Sequence, residues 1–182
     1  MQPLFDETNQ KQKDFGNWQM LLKYLTSTKF WKDVSNTQFI IIQVDTDDCD
    51  KAHFNISKVD SNNNELKTEV LIERVIEKLI SVIESGKVGF YQAHAEKIIF
   101  SISVHMLECW IYSYYNQQPL QNPKIKGCFK ALKYILPKTE KTYLCYKELT
   151  KPFLKRKNID TVTQKDPSFR VFIESLEKIE LP

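Results

Sequence analysis

Asp45 and Asp47 stand two residues apart at the end of an apolar run, Phe39-Ile40-Ile41-Ile42-Gln43-Val44, with Asp48 and Asp50 close behind. A short run of Ile, Phe and Val reads as a buried strand rather than an independent helix, and residues i and i+2 of a strand face one side. The two carboxylates therefore point together. Two anions held close repel each other unless a cation lies between them, and a hard divalent ion such as Mg²⁺ or Mn²⁺ suits paired carboxylates. The competing reading is an acidic, solvated loop that follows a core strand.

A second acid, Glu108, lies in His105-Met106-Leu107-Glu108-Cys109-Trp110, directly after another apolar run. On the first turn of a helix its charge is favoured by the helix dipole, although its apolar neighbours make an unpaired carboxylate costly there. If the two apolar runs are adjacent strands, their carboxyl ends share one crevice and Glu108 can meet Asp45 and Asp47. Otherwise Glu108 caps its helix or pairs with a lysine. A rival set competes for the same place: Cys49 and His53 are four apart, as are His105 and Cys109, and together they would make a Cys₂His₂ zinc site. The surrounding acids favour a hard ion over zinc.

These side chains need a scaffold. The sequence implies a small α/β sheet with core strands at 38–44 and 97–104, expected to be parallel because each reads as a continuous apolar run. Helices are expected from Asn17 to about Thr26, over 67–85 with Gly86 as its stop, and over 105–116, 123–135, about 139–156 and 167–179. Phe30 and Trp31 lead into a turn at Ser35-Asn36-Thr37. Residues 1–15 are polar and read as loosely held, and 16–182 as one domain whose portion from about 120 onward is helical.

With 182 residues, 42% hydrophobic, 27% charged and four Gly, the chain describes a globular domain with a real core, and no apolar run approaches the length of a membrane span. Four scattered cysteines read as reduced thiols in a cytoplasmic setting. The sequence shows no Gly-rich phosphate loop, GxSxG elbow or CxxC, which removes the usual support for P-loop hydrolysis, serine hydrolysis and dithiol redox chemistry. Net charge is +3, but lysines gather toward the C-terminus, from Lys124 and Lys126 through Lys141 and Lys147 to Lys157, as a wall that suits a nucleic-acid backbone. A merely solvated face is the alternative.

In combination these residues resemble the TOPRIM-like proteins of bacterial defence islands, commonly encoded beside AAA-type ATPases. The resemblance rests on Asp45-Thr46-Asp47-Asp48-Cys49 as the DxD motif, on Leu107-Glu108-Cys109-Trp110 as LExW, and on a closing pattern. That pattern runs from Leu136-Pro137 through Tyr146-Lys147 to Pro167-Ser168-Phe169 and Phe172. It implies a TOPRIM-like α/β fold and a Mg²⁺- or Mn²⁺-dependent nuclease, a hydrolase of phosphodiesters in antiviral defence. Asp45 and Asp47 would bind metal, and Glu108 would bind metal or act on the attacking water. Lys147 is the candidate for neutralising developing phosphate charge. The implied partners are DNA or RNA and an AAA-type ATPase, with room for a homo-oligomer. The family also takes a glutamate from an earlier strand, for which residues 1–15 offer Glu7 but no strand-like run. An inactive TOPRIM-like module that binds nucleic acid or protein is the other function compatible with these motifs.

Overall fold

The structure, a computed structural model, describes residues 17–52, 54–116 and 126–179. The expectations for residues 1–15 and for His53 and Lys124 fall outside them. Helices α1 (Asn17–Leu25) and α2 (Thr28–Asn36) precede strand β1 (Ile40–Asp45), and α3 (Thr68–Gly86) and α4 (Phe90–His94) precede β2 (Ile98–Ser103). Five helices follow: α5 (Glu108–Tyr115), α6 (Cys128–Ile135), α7 (Tyr143–Thr150), α8 (Arg156–Lys165) and α9 (Pro167–Glu177). This is a small α/β fold whose C-terminal part is helical.

β1 and β2 pair in parallel, in a register running from Ile40 opposite Ile98 to Asp45 opposite Ser103. Sheet and helices share one core, in which Ile42, Val44 and Ile102 meet Leu25, Phe30 and Val34 from α1 and α2 and Val75, Leu79 and Ile83 from α3. A second, smaller cluster joins Trp110 of α5 to Val162 of α8 and Phe169 of α9. That cluster fixes where α5, and so Glu108, stands relative to the strand ends. No helix among the described residues is long and apolar enough to cross a membrane.

Two expectations are corrected. The stretch after Phe30 is helix α2 rather than a lead-in to a turn: the Phe30 amide donates to Ser27 Oγ at 3.2 Å, and Phe30 and Val34, four apart, are both fully buried. Nor are the thiols all reduced, because Cys109 and Cys128 form a disulfide. Packing of α5 against α6 brings their Cα atoms to 5.0 Å, within bridging span. Cys49 and Cys145 are free.

Gly86 ends α3 where it crosses α1. A Cβ there would lie 2.7 Å from Thr26 Cα, a backbone atom that cannot move alone. Gly86→Ala should therefore destabilise the fold by about 2 kcal/mol through overpacking, despite the better helix propensity of alanine. Chemical denaturation would show it as a lower midpoint with an unchanged slope.

Candidate functional site

The parallel register places the ends of β1 and β2 side by side, and the pairing continues past both strands. The Thr46 amide donates to Ser103 O at 3.0 Å, the Asp47 amide to His105 O at 2.9 Å, and the His105 amide to Thr46 Oγ1 at 2.8 Å. His105 takes a left-handed conformation, φ 69°, which turns the chain from β2 toward α5. The turn points the Leu107 amide at Asp45.

Asp45 Oδ1 accepts three hydrogen bonds: from the Leu107 amide at 3.0 Å, from Gln43 Nε2 at 2.9 Å and from Ser103 Oγ. Its Oδ2 receives none among the described residues. Burial pushes the carboxyl above its usual range, the Ser103 and Gln43 bonds oppose that, and the neighbouring carboxylates Glu108 and Asp47 raise it further. The strand end thus holds one carboxylate oxygen through three donors and the other through none among the described residues.

Glu108 opens α5 and is only 4% exposed. Both of its side-chain contacts fall on Oε1, which accepts from Tyr146 Oη at 2.6 Å and lies 3.1 Å from Lys141 Nζ. Burial and the Glu108 carboxylate push the Tyr146 phenol upward, so it stays protonated and remains a donor. Lys141 also stands 4.9 Å above the Phe129 ring.

Asp47 is pinned through its main chain, the amide on His105 and the carbonyl accepting from Lys58 Nζ, while its side chain is exposed. Partial burial and Asp48 raise its carboxyl, and Lys58 and Lys141 work against them. Asp48 and Asp50 pair outward with Lys51 and Lys58 at 2.7 and 2.9 Å. The structure therefore puts Asp45 within electrostatic reach of both Glu108 and Asp47, with Lys141 acting on Glu108 and Asp47 alike.

No three Cys, His, Asp or Glu side chains among the described residues form a ready-made metal cage. Mg²⁺ does not need one, since it typically takes one or two carboxylates and completes its shell with water and substrate phosphate. The hard oxygens of Asp45 and Asp47 fit that chemistry. The zinc set does not assemble: Cys109 is in the disulfide, Cys49 is fully buried with its thiol pushed up to about 11 by burial, and His53 lies outside the described residues. His105 is itself buried, 4.0 Å from a Glu65 oxygen.

The side chain of Lys147 is exposed on α7, and its ammonium forms no ion pair or hydrogen bond with a described residue. The lysine at Glu108 is Lys141. Tyr146, Lys141, Gln43 and Ser103 were not singled out from the sequence as site residues. Gln43 could have been, because it shares a strand face with Asp45 at i+2. Ser103 needs the strand register, and Lys141 and Tyr146 need the fold of the C-terminal helices.

The motif positions also meet in space. Tyr146 of the closing pattern bonds Glu108, while Trp110 donates to Ser168 Oγ at 2.7 Å, stacks on Phe172 and meets Phe169 edge to face. No family model, curated protein or solved structure matches this chain.

Proposed function

We propose that this chain is a TOPRIM-like, metal-dependent nuclease acting in antiviral defence beside an AAA-type ATPase. The observation that carries the reading is the meeting of Asp45 and Glu108 at the ends of two adjacent parallel strands, with Asp45 Oδ2 left unbonded by described residues. A buried carboxylate raised by desolvation and by neighbouring acids destabilises a fold and is typical of functional sites.

Asp45 Oδ2 and the Asp47 carboxylate would hold Mg²⁺ or Mn²⁺, and the bound ion would lower the pKa of a water and offset charge on the phosphodiester. Asp45 is oriented for this by the Leu107 amide, Ser103 and Gln43. Glu108 orients the attacking water or accepts its proton. Lys141, which contacts Glu108 and electrostatically favours the Asp47 carboxylate, would neutralise charge developing on phosphate, and it has a contact to the acids that Lys147 lacks. Tyr146 stays protonated and holds Glu108 in position.

One observation favours the second reading, an inactive binding module. Lys141 and Tyr146 already satisfy Glu108 without any ligand. The two readings separate when the protein, with and without its candidate ATPase, meets labelled DNA and RNA in Mg²⁺ or Mn²⁺. Cleavage by wild type that is lost in both Asp45→Ala and Asp47→Ala supports the nuclease. Cleavage that persists in them assigns the activity elsewhere, and none under any condition leaves the binding module.

A further inference from the structure

The 32 residues from Lys126 to Lys157 contain ten Lys or Arg and two Asp or Glu. The whole chain carries only +3, so the remainder is net acidic and the positive charge is concentrated in one segment. Of the nine large apolar side chains left exposed among the described residues, five lie in the same segment, including Tyr134 at 91%, Leu144 at 71% and Tyr143 at 63%. Aromatic rings and lysines interleave there. Lys133 Nζ lies 5.9 Å and Lys141 Nζ 4.9 Å from the centre of the Phe129 ring, Tyr134 follows Lys133, and Tyr143 follows Lys141 by two residues. Lys130, Lys133, Lys138 and Lys147 form no ion pair among the described residues, and so are available to phosphate.

We propose that this strip is a stacking platform for single-stranded nucleic acid, with Tyr134 and Tyr143 receiving bases and the neighbouring lysines tracking the backbone. Lys141 ties the platform to the crevice, because the same ammonium that lies over Phe129 contacts Glu108 Oε1 at 3.1 Å. A strand lying on the platform is thereby delivered to the carboxylates. Exposed rings can stack only on bases whose faces are free, which a duplex hides, and stacking on aromatics with lysine contacts to phosphate is the usual recognition of single strands. The inference rests on the proposed nuclease reading for its orientation toward the crevice, but binding itself does not require turnover.

The test uses the full chain in a chelator, without divalent ion, so that cleavage cannot contribute. Fluorescence anisotropy compares labelled oligo-dT, an abasic strand of the same length, a duplex of the same length, and vesicles containing phosphatidylserine. Oligo-dT should bind at least about tenfold more tightly than the abasic strand or the duplex. Tyr134→Ala and Tyr143→Ala should each weaken oligo-dT binding about 5- to 100-fold with unchanged melting temperature, and Tyr134→Trp should restore it. Lys133→Gln should weaken the abasic strand and oligo-dT alike and flatten the salt dependence. Equal affinity for duplex, unchanged binding by both alanine variants, or binding to the vesicles alone would overturn the proposal. If oligo-dT binding behaves as stated and cleavage is never found, the platform stands and the nuclease reading fails. If cleavage is found but the tyrosine variants bind normally, the reverse holds.

Discussion

Asp45→Asn is expected to lower phosphodiester cleavage by about 10²- to 10³-fold, the usual loss when one charged or polar group is removed from a preorganised site, while making the protein more stable at neutral pH. The two effects share a cause. In the folded protein the Asp45 carboxyl is raised above its usual range, chiefly by burial, with Glu108 and Asp47 adding repulsion. The folded state therefore holds this proton more tightly than the unfolded chain, whose aspartates titrate near 3.9, and stability falls as pH rises through the interval between the two values. Above that interval the full cost is present. Asparagine keeps an oxygen for the Leu107, Ser103 and Gln43 donors and carries no charge, so its advantage should be absent below about pH 4 and should grow as pH rises above it. Urea denaturation of both proteins across pH measures this. A variant equally or less stable than wild type at neutral pH would show that Asp45 serves the fold rather than a ligand.

Asp166→Ala should have the largest effect on stability, about 3 kcal/mol, or a fall in melting temperature on the order of 10 °C. Asp166 is 3% exposed, and its Oδ1 accepts from the Ser168 amide at 2.9 Å, the Phe169 amide at 3.0 Å and Ser168 Oγ at 2.7 Å. The cap alone contributes about 1 kcal/mol, and the buried donors left without a partner account for the rest. Ser168 Oγ in turn accepts from Trp110 Nε1, so the loss reaches α5 and the position of Glu108. Asp166→Asn, which still caps, should recover most of the stability. Calorimetry on the two variants checks both statements, and equal melting temperatures for alanine and wild type would refute them.

What could be read from the sequence followed from periodicity and burial. The runs 38–44 and 97–104 correspond to β1 and β2, and the helix expected over 167–179 corresponds to α9, because a long apolar pattern admits few packings. Asp45, Asp47 and Glu108 were legible as candidates because each ends or follows such a run. The rest depended on contacts between residues distant in sequence. The Cys109–Cys128 disulfide, the approach of Lys141 and Tyr146 to Glu108, and the Ser103 bond to Asp45 all follow from how α5, α6 and the C-terminal helices pack. Helix α2 escaped because its signals, Ser27 as cap and Phe30 and Val34 four apart, are local and brief. Lys147 reads as a point charge for phosphate, and the sequence carries no sign that Lys141, from the preceding turn, is the lysine that reaches Glu108.

Mn²⁺ binding measured by electron paramagnetic resonance tests the proposed hard-cation site of Asp45 and Asp47 at the end of β1. Wild type should bind Mn²⁺, Mg²⁺ should compete for the same site, and Asp45→Asn and Asp47→Asn should each abolish the binding without unfolding the protein. Absence of binding by wild type, or binding unchanged in both variants, would contradict it.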